Sequence, residues 1–213
     1  MHKMDITLQT QVIYIASIIG GIAFALSGFL AGIRKELDIM GLFVLAFLTA
    51  NGGGILRDVL IDRVPTVLQS TEPFWLTAGV VIFAGFLRVH RFATLERRWL
   101  FVICDAVGLV AFGITGALIA IDENIHFFGI LTLSFLTATG GGILRDVLVN
   151  NVPEVLHSGF YGSIAILLGL GIYFLHTSDL LNPLTLLLVF ALSLSTRLTA
   201  YRFGWKLPKL KKL

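Results

Sequence analysis

The heptapeptide GGGILRD occurs at 52–58 and again at 140–146. Both copies lie inside strongly apolar sequence. A glycine in a helix interior costs about 1 kcal/mol relative to alanine, and three in a row invite a kink or an unwound turn. Backbone groups freed by such a turn cost several kcal/mol each in hydrocarbon unless protein or water satisfies them. Gly52, Gly53 and Gly54, with Gly140, Gly141 and Gly142, therefore have two readings. They are surfaces for close helix packing, or they are hinges that line a cavity. Two triplets, each followed by a charge pair, favour the hinge or pore.

The charges sharpen the question. Arg57 and Arg145 each lie about one turn before the end of an apolar run, where a guanidinium can snorkel to the interface. Asp58 and Asp146 follow directly. Adjacent residues on a helix point about 100° apart, so pairing across the copies is expected, Asp58 with Arg145 and Arg57 with Asp146. Asp105 lies in a further apolar run, where a carboxylate costs on the order of 2.5–3.5 kcal/mol on insertion scales. It either faces an aqueous path and attracts cations, or pairs with Arg98 at the membrane end. Ser17 occupies the equivalent position 88 residues earlier. Thr49, Asn51, Thr137 and Thr139 precede the glycines. They offer oxygen-bearing groups to a pore, or bond back to their own helices.

The elements that position these residues are membrane helices. The chain of 213 residues is 56% hydrophobic and 14% charged, against about 45–50% and 25% for soluble domains, and its mean hydropathy is +0.90. A spanning helix needs about 20 apolar residues, and seven candidates appear: 11–32, 40–61, 73–89, 100–121, 127–149, 159–177 and 183–200. The first apolar run is long enough to be retained as a helix rather than cleaved as a leader. Eleven of the 16 Lys and Arg residues fall on one side of this topology, among them Arg34, Arg88, Arg91, Arg97, Arg98 and Lys206, against Lys3 and Arg63 on the other. The positive-inside rule then puts the C-terminus in the cytoplasm and the N-terminus outside, for a multi-pass protein of the cell inner membrane.

Segment 47–68, FLTANGGGILRDVLIDRVPTVL, and segment 135–156, FLTATGGGILRDVLVNNVPEVL, match at 17 of 22 positions with an offset of 88. The chain is thus a single membrane domain of two three-helix units, 10–90 and 98–178, with a seventh helix at 183–200 and a basic tail at 201–213. Three is odd, so the second unit enters the membrane inverted. Inverted repeats with interrupted helices place a working site at the repeat interface. The fold class expected is all-α and polytopic.

Other chemistry is absent. The net charge of +3 is too small to suggest nucleic-acid binding. Cys104 is the lone cysteine, the five histidines lack metal-ligand spacing, and no P-loop, dinucleotide fingerprint or HExxH occurs. No cofactor, resident metal or enzymatic activity is expected. The terminal KLPKLKKL suits anionic lipid.

Seven spans, inverted three-helix repeats and GGG-x-x-RD in the second and fifth spans resemble the trimeric intracellular cation (TRIC) channel family, in its prokaryotic branch that includes a glycine-transporter-like group. The resemblance covers about residues 10–200. It implies a homotrimer with a pore inside each protomer, permeant K⁺ and Na⁺, bound membrane lipid, and a gate on kinked second and fifth helices carrying Gly52–Gly54 and Gly140–Gly142. Animal members carry basic residues tied to voltage response and phosphoinositide binding. Here the fourth span has Asp105 and position 51 is Asn. The leading function is a monovalent cation channel. The alternative is a secondary transporter for glycine or another small zwitterion, whose carboxylate would sit at half-helix N-termini.

Overall fold

Glycine spacing decides which helices touch. The computed structural model describes residues 6–89, 94–157, 160–205 and 207–208, all helical or in connecting turns. The helices are α1 (Ile6–Arg34), α2 (Ile39–Leu60), α3 (Thr66–Gln69), α4 (Glu72–Phe86), α5 (Thr94–Asp122), α6 (Phe127–Leu148), α7 (Gly162–Thr177) and α8 (Pro183–Phe203), with a 3₁₀ turn at Glu154–Leu156. Four of them, α1, α2, α5 and α6, form the centre.

Within each unit the first helix lies on the second at a glycine. A Cβ at Gly28 would strike Thr49 Oγ1 and the Ala46 backbone, and one at Gly116 would strike the Leu133 carbonyl and Thr137 Oγ1. Between units, Gly20 of α1 admits Ala111 and Phe112 of α5, and Gly108 of α5 admits Phe24 of α1. At the offset of 88 the Gly28–Thr49 contact matches Gly116–Thr137, and Gly20–Phe112 matches Gly108–Phe24. Phe24 and Phe112 meet at the centre with ring centroids 5.4 Å apart.

The other inter-unit crossing joins α2 to α6. Gly53 meets the Thr137 carbonyl and Gly141 meets the Thr49 carbonyl. The later residue of each helix touches the earlier residue of the other, so the two run antiparallel, as inverted units require. α4 flanks α1 and α2, and α7 flanks α5 and α6. α8, outside the duplication, packs on α5 and α7.

The ends of the units are built alike. Asp38 caps α2 by accepting from Gly41 N, and His126 caps α6 by accepting from Gly129 N through Nδ1. After these helices the chain turns through left-handed Asp62 and Asn150, both φ values being near +55°; short polar side chains tolerate that region.

Five helices, α1, α2, α5, α6 and α8, are long and apolar enough to cross a membrane. The segments expected at 73–89 and 159–177 form shorter apolar helices of 15 and 16 residues. At 1.5 Å per residue these reach about 22–24 Å, against a hydrocarbon core of about 30 Å. Seven spans remain compatible, because a short span is accommodated by local thinning or flanking anchors. The outward faces of α4 (Trp75, Ile82, Phe83, Phe86) and α8 (Leu184, Leu187, Leu188, Leu192) are exposed. In water they would form a large apolar patch, the kind of surface that suits hydrocarbon or a protein interface. Of the basic residues used for orientation, Lys3, Arg91, Lys206, Lys209, Lys211 and Lys212 lie outside the described residues.

Candidate functional site

The glycine triplets do not unwind. Helical geometry runs unbroken from Ile39 to Leu60 and from Phe127 to Leu148. The expectation of an interrupted helix is corrected: Gly53 and Gly141 are consumed by backbone contact at the crossing, and continuous helix keeps their own N–H and C=O groups paired. Leu144 lies over Gly52 and Leu56 over Gly140, which seals the flanks of the contact. Gly142 faces the Tyr161 hydroxyl, whereas Gly54 has only Arg57 Nη2 nearby, at 3.7 Å.

Cavities approach this crossing from opposite ends. The first, of about 600 Å³, lies among α1, α2 and α4 and is lined by Ser17, Asn51, Gly54, Arg57 and Asp58 with apolar walls. The second, of about 500 Å³, is lined by Arg34, Phe101, Arg145, Asp146, Asn150, Asn151, Glu154 and His157. Five positions correspond at the offset of 88: Ile13 with Phe101, Arg57 with Arg145, Asp58 with Asp146, Arg63 with Asn151, and Thr66 with Glu154. The cavities are the same feature of the scaffold, seen once from each side.

Each Arg-Asp pair closes on itself. Arg57 Nε donates to Asp58 Oδ1 at 2.8 Å, and Arg145 Nε donates to Asp146 Oδ1 at 2.9 Å. The expected pairing across the copies is not formed. Each arginine lies four residues beyond its glycine contact, about 6 Å along its helix, and antiparallel helices carry the two in opposite directions. The adjacent pairing, which seemed excluded by helix geometry, is reached because the long arginine stem curls sideways. The second carboxylate oxygen then ties down the following turn, Asp58 Oδ2 accepting from Thr66 N at 3.2 Å and Asp146 Oδ2 from Glu154 N at 2.9 Å. A D58R/R145D exchange is therefore expected not to rescue either single variant; recovery of folded protein, read by size-exclusion chromatography in detergent, would contradict this geometry.

Asp105 pairs with Arg145, not with Arg98. Arg145 Nη1 reaches Asp105 Oδ1 at 2.5 Å and also donates to Ser27 Oγ at 2.5 Å. Arg98 instead donates to the Tyr201 hydroxyl, which lies on α8 at the helix end. Asp105 and Arg145 are both about 1% exposed. Arg145 Nη2 lies 2.9 Å from Asp146 Oδ1 without pointing at it, so the attraction there is Coulombic and the directed bond comes from Nε.

Around this ion pair lie residues that sequence reasoning did not single out. The Tyr161 hydroxyl donates to Asp105 Oδ1 at 3.4 Å. Arg197 of α8 stacks over the Tyr161 ring at 4.7 Å and donates to Glu154 at 2.6 Å. Arg34 and Arg145 each lie 4.6 Å from the centroid of the Phe101 ring. The Glu154 carboxyl, in the turn after α6, is raised above its usual value by burial and by the negative charge of Asp105, with Arg197 pulling the other way. A signal for this was in the repeat. Where the two halves differ in charge, 17/105 and 66/154 both add a carboxylate to the second half.

Thr49, Thr137 and Thr139 line neither cavity. Their hydroxyls donate to the carbonyls of Leu45, Leu133 and Phe135, four residues back. Asn51 donates to the Phe47 carbonyl while facing the first cavity. Among the described residues no group of three or more His, Cys, Asp and Glu could hold a metal ion.

An all-helical membrane bundle with inverted halves and equivalent cavities on opposite sides has the architecture of a transport protein. The family model described as Glycine transporter matches twice, over residues 14–90 and 102–177. The chain is 34% identical over 192 residues to the UPF0126 membrane protein YvgT of Bacillus subtilis, covering 90% of this chain and 93% of that protein. It is 30% identical over 206 residues to the inner membrane protein YadS of Escherichia coli K12, covering 93% and 96%. Among solved structures, a prokaryotic TRIC channel in 0.5 M KCl superposes with a TM-score of 0.85 at 33% identity, over 93% of this chain and all of that one. The TRIC orthologue from Rhodobacter sphaeroides gives 0.84 at 29% identity, over 91% and 99%. The chain belongs to the TRIC family. These relatives are membrane proteins and channels, not enzymes.

Proposed function

We propose that this protein is a channel for monovalent cations, K⁺ and Na⁺, with the conducting path inside each protomer. The observation that carries the reading is the pair of symmetry-equivalent cavities on opposite sides of the α2–α6 crossing, each lined by a buried Arg-Asp pair. The relatives solved as cation channels support it. The path is closed where Gly53 and Gly141 meet opposing carbonyls, so conduction requires α2 and α6 to separate there or the arginines to swing aside. Asn51, Ser17 and the cavity carboxylates would replace part of an ion's hydration shell on the way in. The protein would work as a homotrimer, with membrane lipid around the exposed faces of α4 and α8, and with its C-terminus in the cytoplasm.

Transport of glycine is the second reading, favoured by the description of the matching family model. Purified protein in planar bilayers and proteoliposomes separates the two. Discrete K⁺ currents without any organic substrate are expected. Saturable glycine counterflow with no unitary currents would replace the channel by a carrier.

A further inference from the structure

The duplication makes each half a reference for the other. In the second half, Arg145 holds two carboxylates, Asp105 on Nη1 and Asp146 on Nε. The space beside them is filled by Tyr161, 1% exposed, and by Arg197 of α8. In the first half, Arg57 holds only Asp58, through Nε at 2.8 Å and Nη2 at 2.7 Å. Ser17 stands where Asp105 would be. Among the described residues Arg57 Nη1 makes no hydrogen bond. At the offset of 88 Pro73 of α4 stands where Tyr161 would be, with no hydroxyl to offer, and α8 has no counterpart in the duplication. What remains is the cavity of about 600 Å³, lined by both Arg57 and Ser17 and walled by Ile13, Ile18, Leu76 and Phe112. Arg57 is itself only 7% exposed, so a buried guanidinium has one carboxylate where its twin has two.

We infer that this cavity binds a small monocarboxylate with an apolar body. The carboxylate takes on Arg57 the place that Asp105 takes on Arg145, and the body lies along the apolar walls. A charged hydrogen bond between carboxylate and guanidinium is about twice as strong as a neutral one. A largely apolar pocket of about 300–1,000 Å³ with a few placed polar groups is the usual form of a small-molecule site. Glycine is a poor occupant: it lacks an apolar body, and the two carboxylates that line the cavity are engaged, Asp58 by Arg57 and Thr66 N and Glu72 by the Tyr14 hydroxyl. The inference rests on the comparison of halves and does not depend on whether the cavity conducts.

Isothermal titration of the full chain in nanodiscs tests it, with hexanoate and phenylacetate as soluble probes, oleate as the membrane-borne source, and hexanamide as the neutral isostere. Hexanoate or phenylacetate should bind at least about ten-fold tighter than hexanamide. Ser17→Asp supplies the missing carboxylate from the protein and should abolish carboxylate binding; Ser17→Asn, of similar size without the charge, should keep it within about three-fold. Oleate binding alone, lost in Ser17→Asp, would assign the carboxylate to a fatty acid of the bilayer. Equal binding of hexanamide, no binding of any carboxylate, or carboxylate binding that persists in folded Ser17→Asp would overturn the inference. Should Ser17→Asp not fold, the ratio of hexanoate to hexanamide decides.

Discussion

Asp105→Ala should destabilise the protein by about 3–5 kcal/mol, the range for removing one partner of a buried ion pair. The cost is mostly the guanidinium left behind. Arg145 would keep Asp146, but its Nη1 would retain only Ser27, in a site with almost no exposure. Ser17→Ala, at the equivalent position of the other half, should change stability by no more than about 0.5 kcal/mol, because a half-buried serine beside a cavity leaves nothing stranded. Asp105→Ala combined with Arg145→Met should regain much of the loss, since no lone charge is then buried. Thermal unfolding in detergent, followed by tryptophan fluorescence, reads all three. Equal stability of Asp105→Ala and Ser17→Ala would show that the ion pair contributes little, contrary to the geometry.

The second large effect concerns the crossing. An added methyl at Gly53 or Gly141 meets a backbone carbonyl, of Thr137 or Thr49, that cannot rotate away. Overpacking of this kind costs typically about 1–3 kcal/mol, which outweighs the roughly 1 kcal/mol that alanine gains over glycine in a helix. Gly53→Ala and Gly141→Ala should therefore lower the unfolding temperature. Leucine at both positions should prevent assembly. Gly54→Ala should do the reverse and stabilise by up to about 1 kcal/mol, since only the Arg57 guanidinium lies near, at 3.7 Å. If all three alanine variants behave alike, the triplets are hinges rather than contact surfaces.

The contrast among these glycines shows where sequence reading stopped. Self-similarity at an offset of 88 disclosed two units, and an odd number of helices disclosed their inversion. Both follow from local information. The role of each glycine does not, because it depends on which face of α2 meets α6. The same holds for the charges. Asp105 stood out as an expensive residue, and Arg145 as another, yet nothing local says that α5 brings one to the other. Angular separation misjudged Arg57 and Asp58, since it describes where side chains leave the helix and not where a long one ends. Arg197 carries no such signal, because α8 lies outside the repeat and so has no twin to compare. The span expected at 73–89 overran its helix for a simpler reason: apolar sequence continues to residue 89 while α4 ends at Phe86, ahead of left-handed Arg88.

The contact of α2 with α6 has a meaning in the language of assemblies. Gly53 on Thr137 and Gly141 on Thr49 is what an isologous dimer interface looks like, the same patch meeting itself across a two-fold axis. This chain is a tethered dimer whose subunits have become unlike. A symmetric dimer must accept every substitution twice, so it could not place an aspartate at one copy of position 17 and a serine at the other. Joined in one chain, the copies are released from that obligation. One lines its recess with a serine while its partner fills the same recess with charge.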